Sequence, residues 1–244
     1  ADFIDNLAGI PMDGPVLAVQ CFYRMALDAA QQMAGVLGKS GKRKALQKRS
    51  RQLKRAINTL FWDEALGAYR SCLCGTGEEK ARVTPGLEPD AYRPLSEISN
   101  GLALYAGIVT EDRIASTQKA VCDLHHTTPA RSGYMAYYAT EGLFRSGRHT
   151  EAIQRIRDYW GAMLDAGATS FWEVFDPETH KDTKPDRMWS RCHAFCAGPV
   201  HSLAAHVLGI QPLTPGFKKI GVAPATAHFA QARGRVPTPG GNVE

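Results

Sequence analysis

Apolar residues recur three and four positions apart over most of this chain, the repeat of amphipathic helices. Val16, Val19, Phe22, Tyr23, Ala26, Ala30, Met33 and Leu37 predict a first helix over 15–37, with Pro15 suited to its first turn and Gly38 to its end. A second helix is predicted over 41–61, with Leu46, Leu53, Ile57 and Leu60 turned inward. Residues 67–94 are rich in Gly and Pro and read as a long loop, a length that more often serves function than idles. Further helices are predicted near 95–108, after a Thr110 cap, near 131–146, from a Thr150 cap to about Asp165, and over 193–209. Beyond Pro212 the pattern changes to short strands and turns. Short links between successive helices imply antiparallel hairpins. The fold class is therefore mainly α, with a short C-terminal β segment.

Charge changes this picture at one place. The net charge of +5 comes from residues 39–55, which hold nine Lys or Arg and no acid. The remaining 20 basic and 24 acidic residues sum to −4. No aromatic residue interleaves the basic run, as stacking on bases would require, so it reads as a solvated helix face and no nucleic-acid partner is expected. No apolar run approaches the roughly 20 residues of a membrane span, so no membrane partner is expected either. The first fifteen residues show no basic n-region or long apolar stretch, and no secretion signal is read in them. Cellular location stays open. The six cysteines lack the paired spacing of a zinc site, and no metal or organic cofactor is expected. Cys21, Cys192 and Cys196 read as small core residues.

Candidate chemistry concentrates in GATSFWEVFDPE, residues 167–178, and WSRCHAFCAGP, residues 189–199. Glu173 follows Trp172 and lies among Phe171, Phe175 and Trp189 in sequence, and His193 stands at a predicted helix start. A carboxylate, an imidazole and aromatic faces are the parts of a sugar-cleaving site, because rings stack on the apolar faces of pyranoses while the carboxylate moves a proton. From the residues alone, Glu173 is equally a structural carboxylate that accepts loop amides. His193 is equally a backbone-bonded helix-terminal histidine. Trp172 and Trp189 are equally core rings, and Asp176 either caps its loop or touches sugar hydroxyls.

Five segments occur in an order that resembles a known family: AINTLFWDEALGAY at 56–69, SEISNGLALYAGI at 96–108, GATSFWEVFDPE at 167–178, SRCHAFCAGPVHSLAAHVLGIQPLTPGFKKIGVAP at 190–224 and GRVPTPGG at 234–241. Together they resemble the C-terminal half of the catalytic domain of the bacterial α-L-rhamnosidases, six-hairpin glycosidases. The resemblance implies a partial (α/α)6 toroid over 1–212 and the start of a truncated β-sandwich over 213–244. It implies inverting hydrolysis of terminal α-L-rhamnosides, with Glu173 as general base and His193 lining the same site. Trp172, Phe171, Trp189 and Asp176 become candidate sugar contacts, and a rhamnoside the expected partner. The family's general acid lies in an upstream segment ending in Gly-Trp-x-Gly-Asp, which is not found here, and FIDN at 3–6 carries Asn6 where Trp is expected. The resemblance therefore implies a piece of an enzyme, inactive alone, whose uncovered helix faces meet the missing N-terminal half of the barrel or another copy. The alternative is a non-catalytic carbohydrate-binding remnant.

Overall fold

The computed structural model describes residues 14–73, 95–124, 127–176, 190–225 and 227–244. FIDN at 3–6, most of the predicted loop 67–94, and Trp189 lie outside the described residues. The chain forms two compact units, one ending at Ala152 and one beginning at Ile153.

In the first unit, α1 (Leu17–Val36) and α2 (Ser40–Leu60) form an antiparallel hairpin. Gly38, at φ +66°, makes the turn between them, a conformation a side chain would strain. The buried stripe of α1 is Leu17, Ala18, Cys21, Leu27 and Ala34, not the stripe read from the sequence. Met33, Val36 and Leu37 are exposed, and Leu60 is 58% exposed instead of turned inward. The reason lies between the helices. Arg24 Nε donates to Asp28 at 2.8 Å, and Ser50 Oγ of α2 donates to the same carboxylate at 2.6 Å. This polar contact between the helices fixes the rotation of α1, so that Leu17, Cys21, Leu27 and Ala34 face inward and Met33 and Val36 face out. The basic run of α2 is largely exposed, as expected of a solvated face.

A short hairpin, β1 (Trp62–Asp63) with β2 (Ala68–Tyr69), follows α2. Asp63 organises its turn: Oδ1 accepts from the amides of Ala65 and Leu66, and Oδ2 accepts from Arg70 Nε at 2.7 Å. These donors hold the Asp63 carboxyl below its ordinary value, the Leu66 amide contributing most and Arg70 next. Gly67, at φ +60°, completes the turn.

The centre of this unit is a repeated unit of strand and helix. β3 (Leu95–Ser96) leads into α3 (Glu97–Tyr105), and β4 (Thr127–Thr128) precedes α5 (Gly133–Arg145). The two strands pair in parallel, so α3 and α5 run in the same direction, and α4 (Ile114–Cys122) returns between them. Ser96 and Ser132 cap their helices by accepting from the amides of Ser99 and Met135, each bond worth about 1 kcal/mol. Residues 97–104 are all buried, as for a helix covered on every side. Buried Asn100 replaces a strand partner for β2: it accepts from Tyr69 N at 3.0 Å and donates to Tyr69 O at 3.1 Å. Thr110 makes no side-chain cap bond, and a single 3-10 turn, Glu111–Arg113, intervenes before α4.

α3 and α5 approach closely because glycines face one another. A Cβ on Gly101 would meet Ala139 Cα at 2.5 Å, and one on Gly142 would meet Gly101 O at 2.4 Å. Around this seam stand Tyr105, Tyr137 and Tyr138 in edge contacts, with the Arg145 guanidinium 3.7 Å from the Tyr105 ring.

Helix α6 (His149–Ile156) starts one residue before the Thr150 cap read from the sequence. It continues through a π-helical turn, Arg157–Gly161, into α7 (Ala162–Asp165). The helix predicted over 193–209 is broken into a 3-10 turn at Ala194–Cys196, α8 (Gly198–Ser202) and a π-helical turn at Leu203–Val207. Pro199 opens α8, where a missing N–H costs nothing and the fixed φ fits, so α8 starts there and is not a continuation of the 3-10 turn. After Gly209, β5 (Ile210–Pro212) pairs antiparallel with β6 (Ile220–Val222), and β7 (Val236–Thr238) with β8 (Gly241–Val243). Among the described residues, no helix is long and apolar enough to cross a membrane.

Two outcomes follow from these contacts. Gly142→Val drives a branched side chain into the α3 backbone and should lower stability by about 3 kcal/mol, read as a fall in Tm. Asp63→Asn should lower Tm at neutral pH, because the depressed carboxylate contributes stability above its unfolded value. That difference should close as pH falls below 3.8 and the native aspartate itself takes up a proton.

Candidate active site

The candidate residues of the second unit come together where two extended segments lie side by side in opposite directions. Phe171 O accepts from His193 N at 2.7 Å, and Ser190 O accepts from Glu173 N at 2.9 Å. The loop sequences at 171–174 and 190–193 carry no helical repeat, so their backbone groups find partners in each other.

Glu173 is bound to Ser190 twice. Besides the backbone bond, its Oε2 accepts from Ser190 N at 3.0 Å. His193 Nδ1 stands 3.9 Å from the same oxygen. The Glu173 and His193 side chains keep 23% and 27% of their surface open, so both reach solvent while being held from behind. Oε1 of Glu173 has no hydrogen-bond partner among the described residues. The arrangement leaves one carboxylate oxygen fixed and the other available, with an imidazole beside it.

The aromatic surroundings are only partly as the sequence implied. Trp172 and Phe171 are half-buried. The Trp172 ring meets Phe175 edge-on at 5.9 Å, and Arg191 Cζ lies over it at 5.1 Å. One face of the indole therefore already carries a cation. Phe171 contributes its carbonyl to the pairing with His193. Asp176 is half-buried at the edge of the described segment, and Trp189 lies outside it.

Several contributors were not singled out by sequence. Ser190 Oγ donates to Cys192 O at 3.0 Å and accepts from Cys192 N at 3.2 Å, which closes the turn that carries the Glu173-binding amide. Ser170 Oγ donates to Arg191 O across the pairing. Met163 Sδ accepts from Trp172 N at 3.4 Å. Trp160 is buried, and its indole N–H donates to Cys196 O at 2.9 Å. Cys196 is buried, while Cys192 is exposed and not the core residue read from the sequence: it sits in the turn closed by Ser190 Oγ, beside the equally exposed Arg191. The signal for Ser190 was its place three residues before His193; nothing local marks Trp160 or Met163. Glu97 and Glu141 are buried in the first unit, and Glu97 Oε2 accepts from Ala130 N at 2.7 Å. Among the described residues, no group of three or more His, Cys, Asp or Glu is placed to hold a metal.

Comparison with known proteins matches the chain to one family. An alpha-L-rhamnosidase from Alteromonas sp. (strain LOR) is 21% identical over 232 residues, 91% of this chain and 23% of that protein. The crystal structure of a GH78 family rhamnosidase from Bacillus sp. GL1 superposes with a TM-score of 0.77 at 26% identity, covering 94% of this chain and 23% of the other. A rhamnosidase from Klebsiella oxytoca with rhamnose bound gives a TM-score of 0.62 at 26% identity over 77% of this chain and 33% of that one. The chain thus spans about a quarter to a third of the length of these relatives. Residues 6–207 match the bacterial alpha-L-rhamnosidase 6 hairpin glycosidase domain, and the chain belongs to that family.

Proposed function

We propose that this chain contributes the base side of a glycoside-hydrolysing site for terminal α-L-rhamnosides, with Glu173 as general base. The carrying observation is the half-exposed Glu173 carboxylate, with Oε2 fixed by Ser190 N and His193 Nδ1 at 3.9 Å. Membership of the rhamnosidase family and the likeness to a rhamnose-bound structure support the substrate class.

In an inverting reaction the base takes a proton from a water as that water attacks the anomeric carbon from the face opposite the leaving group. A second carboxyl group protonates the departing oxygen, and the two stand about 6.5–9.5 Å apart to leave room for the water. In this reading Glu173 Oε1 receives the proton, since Oε2 is already engaged. His193 orients the water or a sugar hydroxyl. The free side of Trp172 stacks on the sugar, and Arg191 above its other face offers N–H donors to hydroxyls. Phe171, Trp189 and Asp176 complete the sugar contacts, and the general acid is supplied from elsewhere in the complete protein. The 244-residue chain alone is then a sugar-binding body without turnover, and residues 213–244 belong to an accessory β domain.

The test is hydrolysis of a chromogenic aryl α-L-rhamnoside by the complete protein. Glu173→Gln should lower kcat by roughly 10²–10⁴-fold, the usual share of a general base. Rhamnose binding, followed by calorimetry, should persist in the variant. Wild-type turnover in Glu173→Gln would remove the assignment. Sugar binding with no hydrolysis by the unmutated complete protein would favour the non-catalytic reading instead.

A further inference from the structure

Three contacts in the second unit link one helix to residues around Glu173: a ring contact to Phe175, a bond from the Trp172 amide and a bond to the Cys196 carbonyl. The helix is α6–α7, at and just after its π-helical turn, Arg157–Gly161. Tyr159, fully buried, meets Phe175 edge-on at 6.1 Å. Met163 Sδ accepts from Trp172 N at 3.4 Å. Trp160, only 5% exposed, donates its indole N–H to Cys196 O at 2.9 Å. Cys196 in turn donates its thiol to Glu173 O at 3.5 Å.

The last two bonds form a chain from the helix to the backbone carbonyl of Glu173. An indole N–H buried without a partner costs about 1–3 kcal/mol, so Trp160 strongly fixes where the Cys196 carbonyl sits. The 3-10 turn Ala194–Cys196 is rigidly linked to that carbonyl, because Cys196 N donates back to His193 O at 3.0 Å. The buried thiol then reaches the one backbone carbonyl of Glu173. Thus the main chain of Glu173 is held from the interior, while its carboxylate is held at the surface by Ser190. π-helical turns are often placed at functional sites, and this one carries Tyr159, which meets Phe175, and Trp160, which meets the Cys196 carbonyl.

We propose that Trp160 is a positioning residue for Glu173, acting through Cys196. This rests on the reading of Glu173 as general base. Trp160 touches no substrate in this role: it sets the height and rotation of the residue that does. A base must hold its geometry closely, and a displacement of about 1 Å can cost on the order of 10²-fold in rate.

The experiment compares Trp160→Phe, Cys196→Ala, Cys196→Ser and Glu173→Gln, singly and in pairs, in the complete protein with a chromogenic aryl α-L-rhamnoside. Trp160→Phe keeps a buried ring but removes the donor. It should lower kcat by roughly 10–100-fold with little change in KM. Cys196→Ala should do the same, and Cys196→Ser, which restores a donor, should recover most of the rate. In the Glu173→Gln background neither Trp160→Phe nor Cys196→Ala should lower the residual rate further, because their effect passes through Glu173. Wild-type kcat in Trp160→Phe alongside a crippled Glu173→Gln overturns the positioning role and leaves the base assignment standing. An equal further loss in the double variant also overturns it. Wild-type kcat in Glu173→Gln overturns both readings. Should Trp160→Phe fail to fold, the Cys196 pair decides: equal rates for Ala, Ser and wild type overturn the proposal.

Discussion

The candidate site depends on the double link between Glu173 and Ser190. One bond joins their backbones at 2.9 Å and the other runs from the Ser190 amide to the Glu173 carboxylate at 3.0 Å. An amide bonded to a charged acceptor is among the stronger hydrogen bonds of a protein, typically about 1.5–3 kcal/mol. Two loop segments with no periodic pattern of their own are thereby brought into register. Register in turn places His193 opposite Phe171 and beside the carboxylate. Without this link neither loop has a reason to present its polar side chain at a fixed point.

A different constraint governs the first unit. There, small residues let two helices run nearly in contact, at Gly101, Ala139 and Gly142. Parallel pairing of β3 with β4 sets both helices on the same heading before they begin. Two buried polar side chains are matched individually: Asn100 serves the backbone of Tyr69, and Glu97 serves the amide of Ala130. Such matching fixes one arrangement, since a one-residue slip would leave buried donors and acceptors unpaired.

The helices were legible because their apolar residues repeat at helical spacing, and six of the predicted spans coincide closely with helical segments. The details that failed share a cause. The face of α1 was misread because Arg24, Asp28 and Ser50 form a contact between helices that no single-helix pattern contains. The last predicted helix was read as continuous because its apolar spacing persists across Pro199, although a separate 3-10 turn precedes α8, which then runs on into a π-helical turn. Cys192 was placed in the core because the stretch around it reads as apolar and helical, whereas it stands exposed in a turn.

At the site, the sequence by itself determined the chemistry: a carboxylate beside tryptophan, a histidine twenty residues on, and an ordered set of segments that matches one glycosidase family. Residue types and their order are local information, and they survive in a string. Tertiary structure alone decided which oxygen of Glu173 is engaged, that Arg191 covers one face of Trp172, and that Trp160 reaches the Cys196 carbonyl. These are contacts between residues seventeen to thirty-six positions apart, and their geometry is set by how separate segments pack.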